Sequence, residues 1–238
     1  MMTTWRFTAK PYGDETLSSW LVRIAQMNYT HLYALFSHSN YKRSIYKNDL
    51  DLIPFSSGFY KWLSEMTGVS VERIRNMSLR MYEGYVQERI THHPKQAWII
   101  TMGQFKAHGY RFCPECLQEH AYFRKEWRLL FVNVCSRHRV YLSNRCDVCN
   151  VPIVPQLIDE HNTLFGCYRC GHDLRKNKLQ RLDEPNDYLR IQRQLTQIAD
   201  QGYYIMQNKW HYSIGLFEIL HQIVLLFARK RHTEFNHQ

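Results

Sequence analysis

Eight side chains between positions 113 and 170 are of the types that hold a divalent metal, and they fall in four pairs. The pairs are Cys113-Pro-Glu-Cys116, Cys135-Ser-Arg-His138, Cys146-Asp-Val-Cys149 and Cys167-Tyr-Arg-Cys170. Two residues between ligands let one tight turn aim both side chains at a single ion, and two such turns complete the tetrahedron that zinc prefers. All seven cysteines are used once His138 joins them. The gaps between pairs are 18, 7 and 17 residues. Two long gaps flanking a short one favour consecutive ribbons, one with three cysteines and a histidine and one with four cysteines. A cross-brace, joining the first pair to the third and the second to the fourth, stays open.

Other chemistries fit less well. Disulfides need an oxidising compartment, and Met1 to Phe7 lacks the apolar run of a secretory signal. A zinc deaminase needs an H-x-E upstream of its P-C-x-x-C, whereas here the order is Cys113-Pro114 and no H-x-E precedes it. Four protein ligands per ion leave no position for water, so the two expected zinc ions are structural and no catalytic residue is assigned. A zinc-supported nuclease or a cross-brace ligase is the enzymatic competitor. His92, His93 and His108 have no cysteine left to join, and His172 is the nearest substitute ligand.

Small metal modules need apolar support, which Tyr122, Phe123, Trp127, Leu129, Leu130, Phe131 and Val132 supply inside the first unit. Upstream, Pro11 and Gly13 make a turn, and Asp14 or Thr16 can cap a helix with Leu17, Trp20, Leu21, Ile24 and Ala25 on its apolar face. Tyr60 to Thr67, the break at Gly68, the cap at Ser70 and Val71 to Met77 follow a helix-turn-helix pattern, with Ser64, Gly68, Ile74 and Met77 at the crossing positions. Arg73, Arg75 and Arg80 then become candidates for phosphate contact. His92-His93-Pro94 stops any helix, and Trp98-Ile99-Ile100 reads as a strand or buried linker. Near the end, Pro185 and Asn186 start a helix that stops at Gly202, and a second runs from about Ile214 to Lys230, where Arg229, Lys230 and Arg231 complement its dipole.

The net charge of +10 points to nucleic acid first among acidic partners. It is dispersed, with excesses of +4, +3 and +3 over residues 1–102, 103–170 and 171–238. The most apolar stretch, Gly215 to Ala228, contains Glu218, His221 and Gln222 and is too short and polar to span a bilayer. Clustered cysteines kept for metal indicate a reducing, bacterial-type cytoplasm. The expected architecture is α-rich with small β zinc ribbons. It has an N-terminal helical domain at 1–102 with a helix-turn-helix-like segment, tandem zinc-ribbon modules at 103–178 and C-terminal helices at 179–238.

Taken together, these segments resemble the TniQ family of bacterial transposon target-selection proteins, which share their N-terminal domain with the longer TnsD proteins. The resemblance rests on Pro11-Tyr-Gly-Asp-Glu-Thr-Leu-Ser-Ser-Trp-Leu-Val-Arg-Ile-Ala25, Thr67-Gly-Val-Ser70, Phe112-Cys-Pro-Glu-Cys116, Trp127-Arg128, and the run from Cys135 through His138, Leu142 and Cys146 to Cys149. It implies an adaptor in DNA transposition, without chemistry of its own, that links a target-recognition complex to an AAA+ ATPase of the TnsC or TniB kind. The shortness of the chain after Cys170 favours the adaptor form over a TnsD-like DNA reader, and an RNA-guided, CRISPR-associated complex as the recogniser. Contacts to DNA or RNA through the dispersed basic surface are expected, and a homodimer is open. Glu15, Ser18 and Trp20 in the opening segment are the candidate partner contacts. The alternative is a free-standing zinc-ribbon and helix-turn-helix regulator that binds DNA or RNA.

Overall fold

The computed structural model describes residues 5–37, 48–90, 99–100, 110–158, 162–183 and 187–235, the last to 226 for side chains. The histidines at 92, 93, 108 and 161, Pro94, Trp98 and the helix start at Pro185-Asn186 lie outside these residues, as do the side chains of Arg229, Lys230 and Arg231.

Helix α1, Leu17–Met27, is the axis of the molecule. Thr16 caps it, its side chain accepting from the Ser19 N–H, as the sequence allows. The expected apolar face is buried, with Leu17, Trp20, Leu21 and Ile24 all at 0% exposure. Ser18 and Ser19, on the face the pattern marks as polar, are buried as completely. The segment bearing the first set of candidate metal ligands lies over that side: Thr16 N–H donates to Phe123 O at 3.0 Å and Lys125 N–H to Asp14 O at 2.8 Å. Ile99 and Ile100 are buried too, Leu130 N–H donating to Ile99 O at 2.7 Å, so the linker reading holds for these two residues.

One apolar cluster runs from Leu17 through Leu63, Ile74, Phe112, Trp127 and Cys167 to Phe217, so the core is continuous across the expected boundaries near 102 and 178. Helix α2, Leu32–Leu35, is a single turn against α1. Helix α3, Ser57–Thr67, ends on Gly68 at φ 71°, and Ser70 caps helix α4, Val71–Arg75. The turn expected at Gly68 forms. The following helix has only 5 residues before a 3-10 turn at Leu79–Tyr82, well short of the seven-residue run expected to Met77. Met77, Ser78 and Leu79 are buried, and Leu17 N–H donates to Met77 O at 3.0 Å, which holds the chain against α1 where a longer helix would have projected.

Helix α5, Pro114–Glu119, begins the first candidate metal unit. After the ribbons, helix α6, Asp187–Gln201, docks on that unit through its side-chain amide at Gln192, 3% exposed. Gln192 Oε1 accepts from Asn133 and Val134 N–H at 2.9 and 3.1 Å, and Nε2 donates to Val134 O at 2.7 Å. The amide thus completes hydrogen bonds that a neighbouring strand would otherwise supply. A hairpin not foreseen in the sequence follows: strands β1, Tyr203–Met206, and β2, Lys209–Tyr212, pair antiparallel in the register Tyr203 to Tyr212. Gln207 and Asn208 take positive φ, 50° and 59°, the two-residue turn whose twist matches a hairpin. Gly202, at φ 79°, packs under Tyr85; a Cβ there would meet the ring at 2.9 Å. Helix α7, Ser213–Phe235, closes the described chain, and Phe217 stacks on Phe131 at 5.7 Å.

Candidate metal centres and the buried frame that carries them

The eight ligand-type residues gather as two sets of four, Cys113, Cys116, Cys135 and His138, then Cys146, Cys149, Cys167 and Cys170, with ligand atoms in each set within 4.8 Å of one another. The pairing is consecutive, and the cross-brace is excluded. In the first set His138 Nδ1 lies 3.5, 3.3 and 3.6 Å from the sulfurs of Cys113, Cys116 and Cys135, and Cys116 Sγ lies 3.6 Å from Cys135 Sγ. In the second, Cys146 and Cys170 sulfurs are 3.6 Å apart and those of Cys149 and Cys167 3.5 Å. A tetrahedron with Zn–S near 2.3 Å and Zn–N near 2.0 Å has edges of about 3.5 to 3.8 Å. These spacings fit that figure and are far from the ~2.05 Å of a disulfide; all seven cysteines are free.

Three of the four ligand turns share one backbone design. Cys135, Cys146 and Cys167 each accept at the carbonyl from the N–H four residues on, at 2.9 Å, and each donates its own N–H to the carbonyl five residues on. The residue after each turn's second ligand sits in the left-handed region: Arg139 at φ 56°, Asn150 at φ 55° and Gly171 at φ 71°. The remaining pair is built on a helix start. Cys113 occupies the cap of α5, its Sγ accepting from Cys116 N–H at 3.4 Å. Crowding by the Cys116 and Cys135 sulfurs, together with burial, pushes the Cys113 thiol up, and the Cys116 N–H works the other way.

His138 faces the sulfurs through Nδ1, so its other nitrogen carries the proton and donates to Glu119 Oε1 at 3.0 Å; Glu119 Oε2 in turn pairs with Arg137 at 3.0 Å. Such an outer carboxylate fixes the tautomer and ring plane of a metal-binding histidine. His172, the reserve ligand, stands outside both sets. Its carbonyl accepts from Cys167 N–H at 2.8 Å. Without a cation, burial pushes the Cys167 thiol up to about 12, while the His172 backbone lowers Cys170 to about 7. Four crowded sulfurs cannot all ionise unless a cation joins them, and that is what a divalent metal provides. The sets differ in access: Cys113, Cys116 and Cys135 are buried, whereas Cys170 is exposed and Cys149 half-buried.

The opening segment proves to be internal framing. Glu15, Ser18 and Trp20 are each at 0% exposure, which leaves none of their side-chain surface for a partner. Glu15 receives Arg23 at 2.8 Å and Ser19 Oγ at 2.8 Å, while Ser19 Oγ accepts from Phe123 N–H at 3.0 Å. Trp20 Nε1 donates to Ala9 O at 2.7 Å. Ser18 donates through N–H and Oγ to Asp51, at 2.7 and 2.8 Å. Asp51 also accepts from Tyr110 Oη at 2.6 Å and pairs with Arg128 at 3.0 Å; Arg128 bonds Asp49 as well and lies 4.0 Å over the Tyr110 ring. Asp49, Asp51 and Arg128 are at most 1% exposed. Burial raises the Asp51 carboxyl to about 6, against the pull of Arg128. Tyr12 stacks on Tyr122 at 4.2 Å, and Tyr122 Oη donates to Asp14 at 2.8 Å.

The three arginines expected at phosphate are differently placed. Arg73 donates to Tyr12 O, Arg80 donates to Ile90 O at 2.6 Å and pairs with Glu83, and Arg75, exposed, lies 5.3 Å from the centre of the Tyr60 ring. Sequence reasoning missed Asp49, Asp51 and Tyr110, because the side chains of the frame that they hydrogen-bond lie 33 to 92 residues away along the chain. It also missed Glu119, for which the i+3 spacing from Cys116 on a short helix was the available signal.

Among the described residues no helix is long and apolar enough to cross a membrane. No curated protein matches the chain. The TniQ family model matches residues 6–142, more than half of the 238 residues. That span holds the capped α1, the Asp49, Asp51 and Arg128 frame and the whole first ligand set, and by that match the chain belongs to the TniQ family.

Proposed function

We propose that this chain is an adaptor in DNA transposition, holding zinc at both ligand sets and joining a target-recognition complex to an AAA+ ATPase of the TnsC or TniB kind. The observation that carries the reading is the welding of the family's opening segment onto the first metal unit. Thr16, Ser19, Tyr12 and Asp14 are tied to residues 122–125 by backbone bonds, a ring stack and an ion pair. A protein that works by holding two others at a fixed geometry needs such a stiff body, and structural metal supplies stiffness where a large core is lacking. Both ligand sets carry four protein donors, so in this reading the metals shape the protein and do not turn over substrate.

In this reading the recogniser is RNA-guided, and nucleic acid is met through the basic surface. Residues 183–238 contain six basic and six acidic side chains, so the whole +10 resides in residues 1–182, and that is where nucleic-acid contact is assigned. The test is titration calorimetry of the zinc-loaded full chain with the ATPase from the same transposon, alongside DNA binding at rising salt. The adaptor reading expects ATPase binding, with naked DNA bound weakly and with a steep salt dependence. Site-specific DNA binding at roughly nanomolar Kd by the chain alone would instead make it a regulator.

A further inference from the structure

Between α6 and the first metal unit lies a cavity of about 410 Å³, within the range of pockets that hold a ligand. Every residue lining it is polar or charged. Glu126 and Ser136 stand on one side, and Arg193, Thr196, Gln197 and Asp200 of α6 on the other. Glu126 is half-buried, and among the described residues its carboxylate makes no hydrogen bond and no ion pair. The cations beside it are committed elsewhere. Arg124 pairs with Asp14 at 2.5 Å, Lys125 Nζ donates to Asn76 O at 2.7 Å, and Arg193 donates to Ser136 O at 2.7 Å. Asp200, the second carboxylate of the cavity, accepts from Tyr82 Oη at 3.0 Å. Burial, reinforced by the nearby Asp14 charge, raises the Glu126 carboxyl to about 7, and burial raises Asp200 as well. On a chain whose net charge is +10, two carboxylates are thus drawn from water into one cavity without a cation paired to either.

We infer that this cavity is a socket for one arginine side chain of a protein partner, with Glu126 as the main counter-charge. A guanidinium is planar and carries five N–H donors, so it needs a carboxylate to pair with and further acceptors around its edge. Glu126 supplies the first. Asp200, the amide oxygens of Gln197 and Gln201 and the hydroxyl of Thr196 supply the rest. Thr196 Oγ1 already donates to Gln192 O at 2.9 Å, which leaves its lone pairs to accept.

Other occupants fit worse. A phosphate is repelled by the two carboxylates, and an apolar side chain would seal them from water unpaired. Among the described residues neither Glu126 nor Asp200 belongs to a group of three or more side chains close enough to hold a metal ion. An ammonium, with three donors, would leave more of the acceptors unserved than a guanidinium does. Arginine seated in a well-packed pocket is also a frequent anchor of protein interfaces.

The inference goes beyond the adaptor reading, and the two fail separately, because the socket is probed on the zinc-loaded full chain with no partner present. Titrating Nα-acetyl-arginine amide from about 0.1 to about 30 mM should move the backbone amide NMR signals of residues 126, 136 and 193–201 to saturation. Nα-acetyl-citrulline amide, uncharged and of nearly the same shape, should leave them in place. Glu126→Gln should weaken binding roughly tenfold or more, with zinc content and near-UV circular dichroism unchanged, since the carboxylate has no partner to lose. Arg193→Gln, which removes the cation of the lining, should strengthen it about two- to threefold. Signals that stay still, a citrulline response equal to that of arginine, or binding indifferent to Glu126→Gln overturns the inference. So does spermidine binding more tightly than the arginine probe, which would assign the cavity to a polyamine.

Discussion

Replacing Arg128 by Met tests whether the buried ion cluster, more than the apolar contacts, locks α1 to the first metal unit. Arg128 is 1% exposed and is the cation facing two carboxylates at 0% exposure, bonding Asp51 at 3.0 Å and Asp49 on its other nitrogen. Methionine keeps the packing against Tyr110 and removes the charge. Removing one partner from a buried ion pair costs about 3–5 kcal/mol, because the remaining charge is left in a poor solvent. Asp51, already raised to about 6, can take up a proton and return part of that cost, so we expect the lower end, about 3 kcal/mol near neutral pH. With a urea m-value of about 2–3 kcal/mol/M, the unfolding midpoint should fall by about 1 to 1.5 M. The assay is tryptophan fluorescence in urea at saturating zinc, since Trp127 and Trp20 are both fully buried. The triple variant Asp49→Asn, Asp51→Asn, Arg128→Met should recover most of the loss, because neutralising a whole buried ionic group is far cheaper than halving it. A midpoint shift below about 0.3 M, or a triple variant no better than the single, refutes this account of what joins the two parts.

Three further outcomes follow from the same geometry. The carboxyl of Asp51 has its folded pKa raised above the ordinary 3.8 to about 6. The folded state therefore holds the proton more tightly than the unfolded chain, and this group adds stability that is present below about pH 4 and lost as pH rises through 6. Measured against Asp51→Asn at saturating zinc, the wild-type chain should lose on the order of 1–2 kcal/mol between about pH 5 and 7; a flat difference would contradict the assignment. Chelator should strip the second ligand set before the first, with Cys170 and Cys149 alkylated first by mass spectrometry, because Cys170 is exposed and Cys149 half-buried; simultaneous loss would show the two units to be one cooperative body. Gln192→Ala should leave two N–H groups and a carbonyl of residues 133–134 without partners, at about 1–3 kcal/mol. Hydrogen exchange of residues 187–201 should then accelerate while the metal content stays at two per chain, and unchanged protection of that helix would rule out the amide as its anchor.

The metal ligands were legible because their chemistry is local: two intervening residues fix a turn, and the turn fixes where two sulfurs point. Gap lengths also favoured the observed pairing of neighbouring turns. The caps at Thr16 and Ser70 were legible for the same reason, each side chain reaching a backbone N–H three residues on, and the break at Gly68 because a left-handed φ of 71° suits glycine. What resisted reading was long-range. Ser18 and Ser19 look like part of an exposed polar opening, and only the arrival of Asp51 and Phe123 turns them inward. The second helix of the expected helix-turn-helix is cut short for a similar reason. Met77 carries good helical spacing, yet the backbone bond from Leu17 N–H to Met77 O holds it to α1, and Ser78 Oγ donates to Asp51 O in the 3-10 turn at 50–52.

The polar residues buried on α1 also bear on why the family match ends where it does. Residues 6–142 contain both ends of the bonds that fasten α1 to the first metal unit, from Ser19 with Phe123 to Ser18 with Asp51 and Asp51 with Arg128. Each of these polar atoms lies away from water, so losing any one partner strands the other, and the set can change only together. The second ligand set, α6, the hairpin and α7 lie beyond that span yet are fastened to it by many bonds, among them Tyr110 N–H to Ile153 O, Phe112 with Ser143, Tyr141 N–H to Gln180 O, Gln192 to Val134 and Tyr82 to Asp200, and by the Phe131–Phe217 stack. What sets the family span apart is charge in the interior: among the described residues every buried charged side chain, from Glu15 through Asp49 and Asp51 to Arg128, lies within 6–142.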